Sequence, residues 1–338
     1  MTGGLVTQEI GSFRKPEYLS TVFRKGGDDV RKLIERATLE TLGVFRDSGL
    51  VNVGVGGEMF RWEMYEHLAD HLEGIQFYGF VRSFDNRYFR KGSVVSKIIR
   101  KSSAHLEELQ FVASHATEKI KVPITGAYTM TDWSFNEHYP DRHELALDYA
   151  DVVHEEILDL KSEWQKIGRD QVLEIQIDEP AATTNPSEMD ILRDTVERSI
   201  EGIQGCEFTI HVCYSTDYGI LYKALADTAL QGYNLEFANR DTLLPGINRE
   251  QRTGYVDVKE FADRLGDRIL GLGVTDVHID DVEGSDLIKD RIEFSTRFQD
   301  IGRIRINPDC GLRTRSRETG FRKLKNMVEA GKAFTDRT

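Results

Sequence analysis

The tripeptide His211-Val212-Cys213, in the string TIHVCYS, places an imidazole and a thiol two residues apart in an apolar, β-prone run. Residues i and i+2 of a strand share a face, so both side chains can grip one ion. Imidazole and thiolate are preferred ligands of Zn²⁺, which takes four ligands tetrahedrally. Glu236 of NLEFAN and Cys310 of NPDCGL are the candidates for the other two positions. The pair alone is ambiguous, since a buried His beside a buried Cys is also ordinary core composition.

Taken together, the four side chains have a definite chemistry. Two thiolates and a carboxylate carry three negative charges, so a zinc ion held by them is a poor Lewis acid. A hydrolase needs a positive centre that lowers the pKa of bound water. An electron-rich thiolate shell instead lets a substrate thiol bind as thiolate and stay nucleophilic enough to attack an alkyl group. Thiol alkylation is the expected chemistry, and a closed structural zinc site is the alternative.

Composition narrows the partners. The chain has 338 residues, 39% hydrophobic, with 57 Asp and Glu against 44 Lys and Arg and a formal net charge of −13. This acidity argues against binding nucleic acid or an anionic membrane surface and points to a small-molecule partner. There is no apolar run long enough to span a bilayer and no basic segment followed by an apolar one at the start, so a cytoplasmic protein is expected. Three cysteines make no disulfide framework. Cys206 lies seven residues before Cys213, about 23 Å along a strand at about 3.3 Å per residue, and reads as a core cysteine.

Short β-prone runs that could carry these groups recur at 5–12, 50–57, 122–129, 172–179, 208–215, 233–239, 269–276 and 304–310. Between them lie amphipathic stretches such as 28–49, 142–168 and 318–334. Eight such repeats, covering residues 1–338 as one domain, predict an α/β chain folded as a (β/α)₈ TIM barrel. A doubly wound sheet is the competitor, disfavoured because no GxGxxG follows an early strand. Residues 76–91 alternate aromatic with polar around Asp85-Asn86 and predict an inserted β-hairpin after the second helix.

Active sites of such barrels lie at the C-terminal ends of the strands. Ser12, Glu58, Asp178, Glu179, His211, Cys213, Glu236, Asp276, His278 and Cys310 gather at those ends, and Trp133 follows the third strand closely. The opposite ends mostly show Val, Ile and Leu.

The motifs IGSF (10–13), GGE (56–58), TDWSF (131–135), QIDEP (176–180), HVCY (211–214), LEFAN (235–239), TDVH (275–278) and NPDCGL (307–312) stand in the order found in cobalamin-independent methionine synthases. From residue 7 to about 332 the chain resembles the catalytic half of that family, in a short single-barrel form. The resemblance implies a methyltransferase of methionine biosynthesis that methylates the thiol of L-homocysteine. It implies Zn²⁺ held by His211, Cys213, Glu236 and Cys310. The amino-acid carboxylate would meet Ser12 and the neighbouring backbone of Ile10 and Gly11, and the ammonium would meet Glu58 and Asp178. His278 would handle the proton during methyl transfer, and Trp133 would face a pterin donor. Asp276, two residues before His278 and so on the same strand face, could orient that imidazole. The methyl donor stays open among methylcobalamin, a corrinoid protein and a methylated pterin or folate. The longer members carry a further N-terminal barrel that this chain lacks room for, and the loop after His278 reads Ile-Asp-Asp where they have Ser-Pro. Another thiol, such as coenzyme M, is the alternative acceptor.

Overall fold

A computed structural model describes residues 5–82, 88–215 and 217–334. Its strands are, in chain order, β1 (Val6–Thr7), β2 (Leu72–Arg82), β3 (Tyr88–Arg100), β4 (Lys121–Thr125), β5 (Phe135–Asn136), β6 (Leu173–Asp178), β7 (Cys206–Val212), β8 (Gly232–Leu235), β9 (Ile269–Thr275) and β10 (Ile304–Pro308). Seven of them form one parallel sheet in the order β1-β10-β9-β8-β7-β6-β4. The architecture is therefore α/β with a curled parallel sheet.

The run 50–57, expected to be the second strand, forms none. Only Asn52 makes parallel bridges, to Gln8 just after β1 and to Lys119 just before β4. The flanking backbone supports them, Val53 N donating to Lys119 O and Glu9 N to Asn52 O. Four glycines in GLVNVGVGG explain the short pairing, because Gly54, Gly56 and Gly57 all adopt positive φ, which ends a strand.

The expected helices form almost to the residue. Asp28–Ser48 buries Val30, Ala37, Leu42 and Phe45 along one stripe and stops at Gly49, at φ 86°. Arg142–Ile167 begins at Asp141, whose carboxylate accepts the Glu144 N–H, and ends at the left-handed Gly168. Arg317–Lys332 starts on a Ser316 cap.

The strands of the parallel sheet are largely buried on both faces, but the inner face is polar, which their apolar appearance did not suggest. In β6, Leu173, Ile175 and Ile177 alternate with Glu174, Gln176 and Asp178, and all six are buried. Inside the sheet an amide layer links Gln8 Nε2 to Asn234 Oδ1 at 2.8 Å and Asn234 Nδ2 to Gln176 Oε1 at 2.9 Å. These bonds tie β8 to β6 and to the residue that follows β1.

The N-terminal strand ends also carry charge, contrary to the expected asymmetry. Arg305 pairs with Glu207 at 2.5 Å and with Glu174 at 3.2 Å. What separates the two ends is pairing, since these charges neutralise one another while those at the other end converge on a cavity.

Strands β2 and β3 pair antiparallel from Leu72↔Arg100 to Arg82↔Tyr88, with β5 beside β3. The pairing is longer than the expected 76–91, and the Asp85-Asn86 turn lies outside the described residues. Among the described residues no helix is long and apolar enough to cross a membrane.

Candidate metal and acceptor site

His211 sits near the end of β7 and Cys213 one residue beyond it, while Cys310 follows β10 by two. One ligand atom from each of these three residues lies within 4.8 Å of the others. The His211 Nε2 stands 3.4 Å from the Cys310 sulfur. Its Nδ1 lies 2.9 Å from Asn234 O, which leaves Nε2 turned inward toward the sulfurs.

Electrostatics agrees with a cation site. Against the cost of burial, the Cys310 thiolate holds the His211 imidazolium up to about 9. The hydrogen bond from Cys213 keeps Cys310 well below its ordinary value, and the same contact pushes Cys213 well above its own. The three side chains thus face one another at a point where a divalent ion would fit. Two soft sulfurs and a neutral imidazole are a donor set suited to zinc. Cys206, at the far end of β7, stands apart from this group, as its spacing predicted.

Glu236 follows β8 but is not one of the three. Its Oε2 accepts the Tyr214 N–H at 2.7 Å and Asn239 Nδ2 at 3.0 Å, while Oε1 lies 3.4 Å from His278 Nε2. The loop holding it is fastened by Asp309, whose carboxylate accepts the N–H groups of Phe237, Ala238 and Asn239.

His278 lies over this group, its ring 4.9 Å from that of Tyr214. The hydrogen bond to Glu236 raises it to about 9. Asp276 meets His278 through its backbone. Strand β9 ends at Thr275, so the two residues share no strand face, and the Asp276 carboxylate instead accepts the His278 backbone N–H at 2.7 Å.

One cavity joins the sulfurs to the remaining expected residues: Ile10, Gly11, Ser12, Glu58, Asp178 and Trp133 all line it. Ser12 abuts the Cys310 loop, where a Cβ on Gly311 would fall 2.4 Å from the Ser12 Oγ, so only glycine fits there. Burial pushes Asp178 up to about 7, and the neighbouring Glu58 adds to the effect while His211 opposes it. Two carboxylates so placed favour a cationic ligand. Trp133 packs its ring 5.2 Å from Phe89 of β3, so the antiparallel strands supply an apolar wall.

Several residues at the site were not legible beforehand. Arg61 is buried, donates twice to Glu108 and once to Pro123 O, and stands 3.7 Å from Glu58. Lys15 Nζ donates to Glu58 O at 2.9 Å. A buried arginine in GGEMFR carries no sequence signal, although an arginine three residues after a carboxylate is a hint of pairing. Glu179 proves structural, its carboxylate accepting the Tyr128 and Thr129 N–H groups at the start of the helix Ala127–Asp132. Glu58 and Tyr214 both adopt φ 58°, a left-handed backbone that costs a non-glycine residue about 1–3 kcal/mol and concentrates at functional sites.

Residues 5–333 match the family described as "Cobalamin-independent synthase, Catalytic domain". The chain belongs to this family. The methionine synthases of Thermoplasma volcanium and Thermoplasma acidophilum are 54% and 53% identical to it, each over 96% of this chain and 96% and 97% of their own. A B12-independent methionine synthase from Shewanella sp. W3-18-1, solved with selenomethionine, superposes with TM-score 0.82 at 23% identity over 99% of this chain and 98% of that one. At that identity the likeness establishes the shared fold.

Proposed function

We propose that this chain is a zinc-dependent S-methyltransferase that converts L-homocysteine to L-methionine in the cytoplasm. The observation that carries the reading is the His211, Cys213 and Cys310 cluster opening onto the same cavity as the Glu58 and Asp178 carboxylates. The relatives' shared name, methionine synthase, supports it. In the same reading the fold is one (β/α)₈ barrel spanning the chain, with residues 50–53 as its irregular eighth stave and 76–91 as an insertion.

His211, Cys213 and Cys310 would hold the ion, with Glu236 as the fourth ligand, supported by its place at the end of the neighbouring strand. Zinc in this thiolate-rich shell would keep a substrate thiol ionised near neutral pH while leaving it nucleophilic. The chain's own groups do the rest. Glu58 and Asp178 take the substrate ammonium, and Ser12 with the Ile10–Gly11 backbone takes its carboxylate. His278, hydrogen-bonded to Glu236, would supply a proton to the departing nitrogen of a pterin donor, which a corrinoid's departing cobalt would not need, and Asp276 fixes the turn that presents it. Trp133 and Phe89 offer an apolar wall to the donor, a corrinoid or a methylated pterin. Two carboxylates disfavour coenzyme M, whose sulfonate brings a second anion and no ammonium.

Metal analysis and a methionine-formation assay with homocysteine test this reading together. The wild type is expected to hold one zinc per chain, and Cys310→Ser to lose zinc and methionine formation in parallel. A metal-free chain that still methylates homocysteine would overturn it.

A further inference from the structure

Glu58 is held in an unfavourable backbone by contacts from the opposite side of the cavity wall. Its φ of 58° follows positive φ at Gly54, Gly56 and Gly57, so the chain reaches it through a run of left-handed turns. Nothing in the Glu58 side chain favours this conformation. Two bonds stitch the loop to the IGSFRK segment: Phe13 N donates to Gly57 O at 3.0 Å, and Lys15 Nζ donates to Glu58 O at 2.9 Å. Lys15 is itself placed by the Phe23 ring, 5.4 Å from its Nζ. Behind the loop it lines a second cavity with Arg61, Trp62 and Glu63.

The carboxylate of Glu58 is fenced on its other sides. A Cβ on Gly11 would lie 2.7 Å from its Oε1, so the glycine gives it room. Arg61 is 3.7 Å away and already committed to Glu108 and Pro123 O. With the backbone fixed and these walls in place, the carboxylate is left to the acceptor cavity beside Asp178.

We infer that Lys15 is a positioning residue for the amino-acid acceptor: by tying down the Glu58 carbonyl it aims the Glu58 carboxylate at the substrate ammonium. Lys15 does not line the acceptor cavity and acts only through Glu58. The inference rests on the proposed contact between Glu58 and that ammonium.

Calorimetric titration of the zinc-loaded enzyme with homocysteine and with 4-mercaptobutanoate, the same thiol acid without the ammonium, tests it. Lys15→Met is expected to weaken homocysteine about tenfold, the scale of one hydrogen bond to a charged group, and to leave 4-mercaptobutanoate within about twofold. Lys15→Arg, which can reach the same carbonyl and keeps the charge should the Met variant fold poorly, restores most of the loss. In Glu58→Gln the further change Lys15→Met adds nothing, because the two residues act in series. Equal weakening of both ligands, no weakening of either, or additive losses in the double variant overturns the role of Lys15. If Glu58→Gln alone leaves homocysteine binding intact, the assigned role of Glu58 fails first. If Glu58→Gln weakens it and Lys15→Met does not, only the positioning role is lost.

Discussion

Glu9 illustrates how far single residues at this site depart from ordinary behaviour. It is 4% exposed, and neither carboxylate oxygen has a hydrogen-bond partner among the described residues. Burial pushes it up to about 8, Lys121 opposing and Glu58 and Asp178 adding to the shift. A carboxyl whose folded pKa is raised contributes stability in full below its unfolded value of 4.5, and loses it as pH climbs toward 8. Glu9→Gln is therefore expected to flatten the fall in melting temperature between pH 5 and pH 8 and to be the more stable protein at pH 8. Parallel melting curves for the two proteins would show that Glu9 is not protonated in the fold. At this scale the sequence was informative about reactive groups and silent about their supports. His211, Cys213 and Cys310 are legible because few residue types bind soft metals. Lys15, Arg61 and Glu9 are not, because burial and an unfavourable φ belong to the folded chain.

Between the residue and the fold, strand ends and their loops decide which groups meet. Helix boundaries were readable because periodicity, caps and glycine stops are local signals, as at Asp141 and Gly168. The stretch 50–57 misled because its Val and Leu content suits a strand, while its glycines adopt left-handed turns that bring Glu58 to the cavity. Asp276 misled for a related reason: an i, i+2 argument fails once the strand has ended at Thr275. Asp309, inside NPDCGL, shows an element-level device, one carboxylate gathering three successive N–H groups of the loop that carries Glu236. A Cβ on Gly273 would intrude on it at 2.2 Å. Asp309→Ala strips those donors of their acceptor and is expected to cost about 1–3 kcal/mol in denaturant unfolding. It should also weaken zinc binding by loosening Glu236. An unchanged unfolding midpoint would mean that the loop holds itself.

On the scale of the whole molecule, a curled parallel sheet with a polar interior delivers soft ligands and carboxylates to one end and paired charges to the other. The first of these ends is where the chemistry is concentrated. The central claim is that the substrate sulfur joins Cys213 and Cys310 at the ion. X-ray absorption at the zinc edge, recorded on the zinc-loaded protein before and after homocysteine, measures this directly. The expected result is two sulfur scatterers rising to three, with no such rise for homoserine, the oxygen counterpart. A sulfur count that stays at two in saturating homocysteine would contradict the account and leave the ion a structural one.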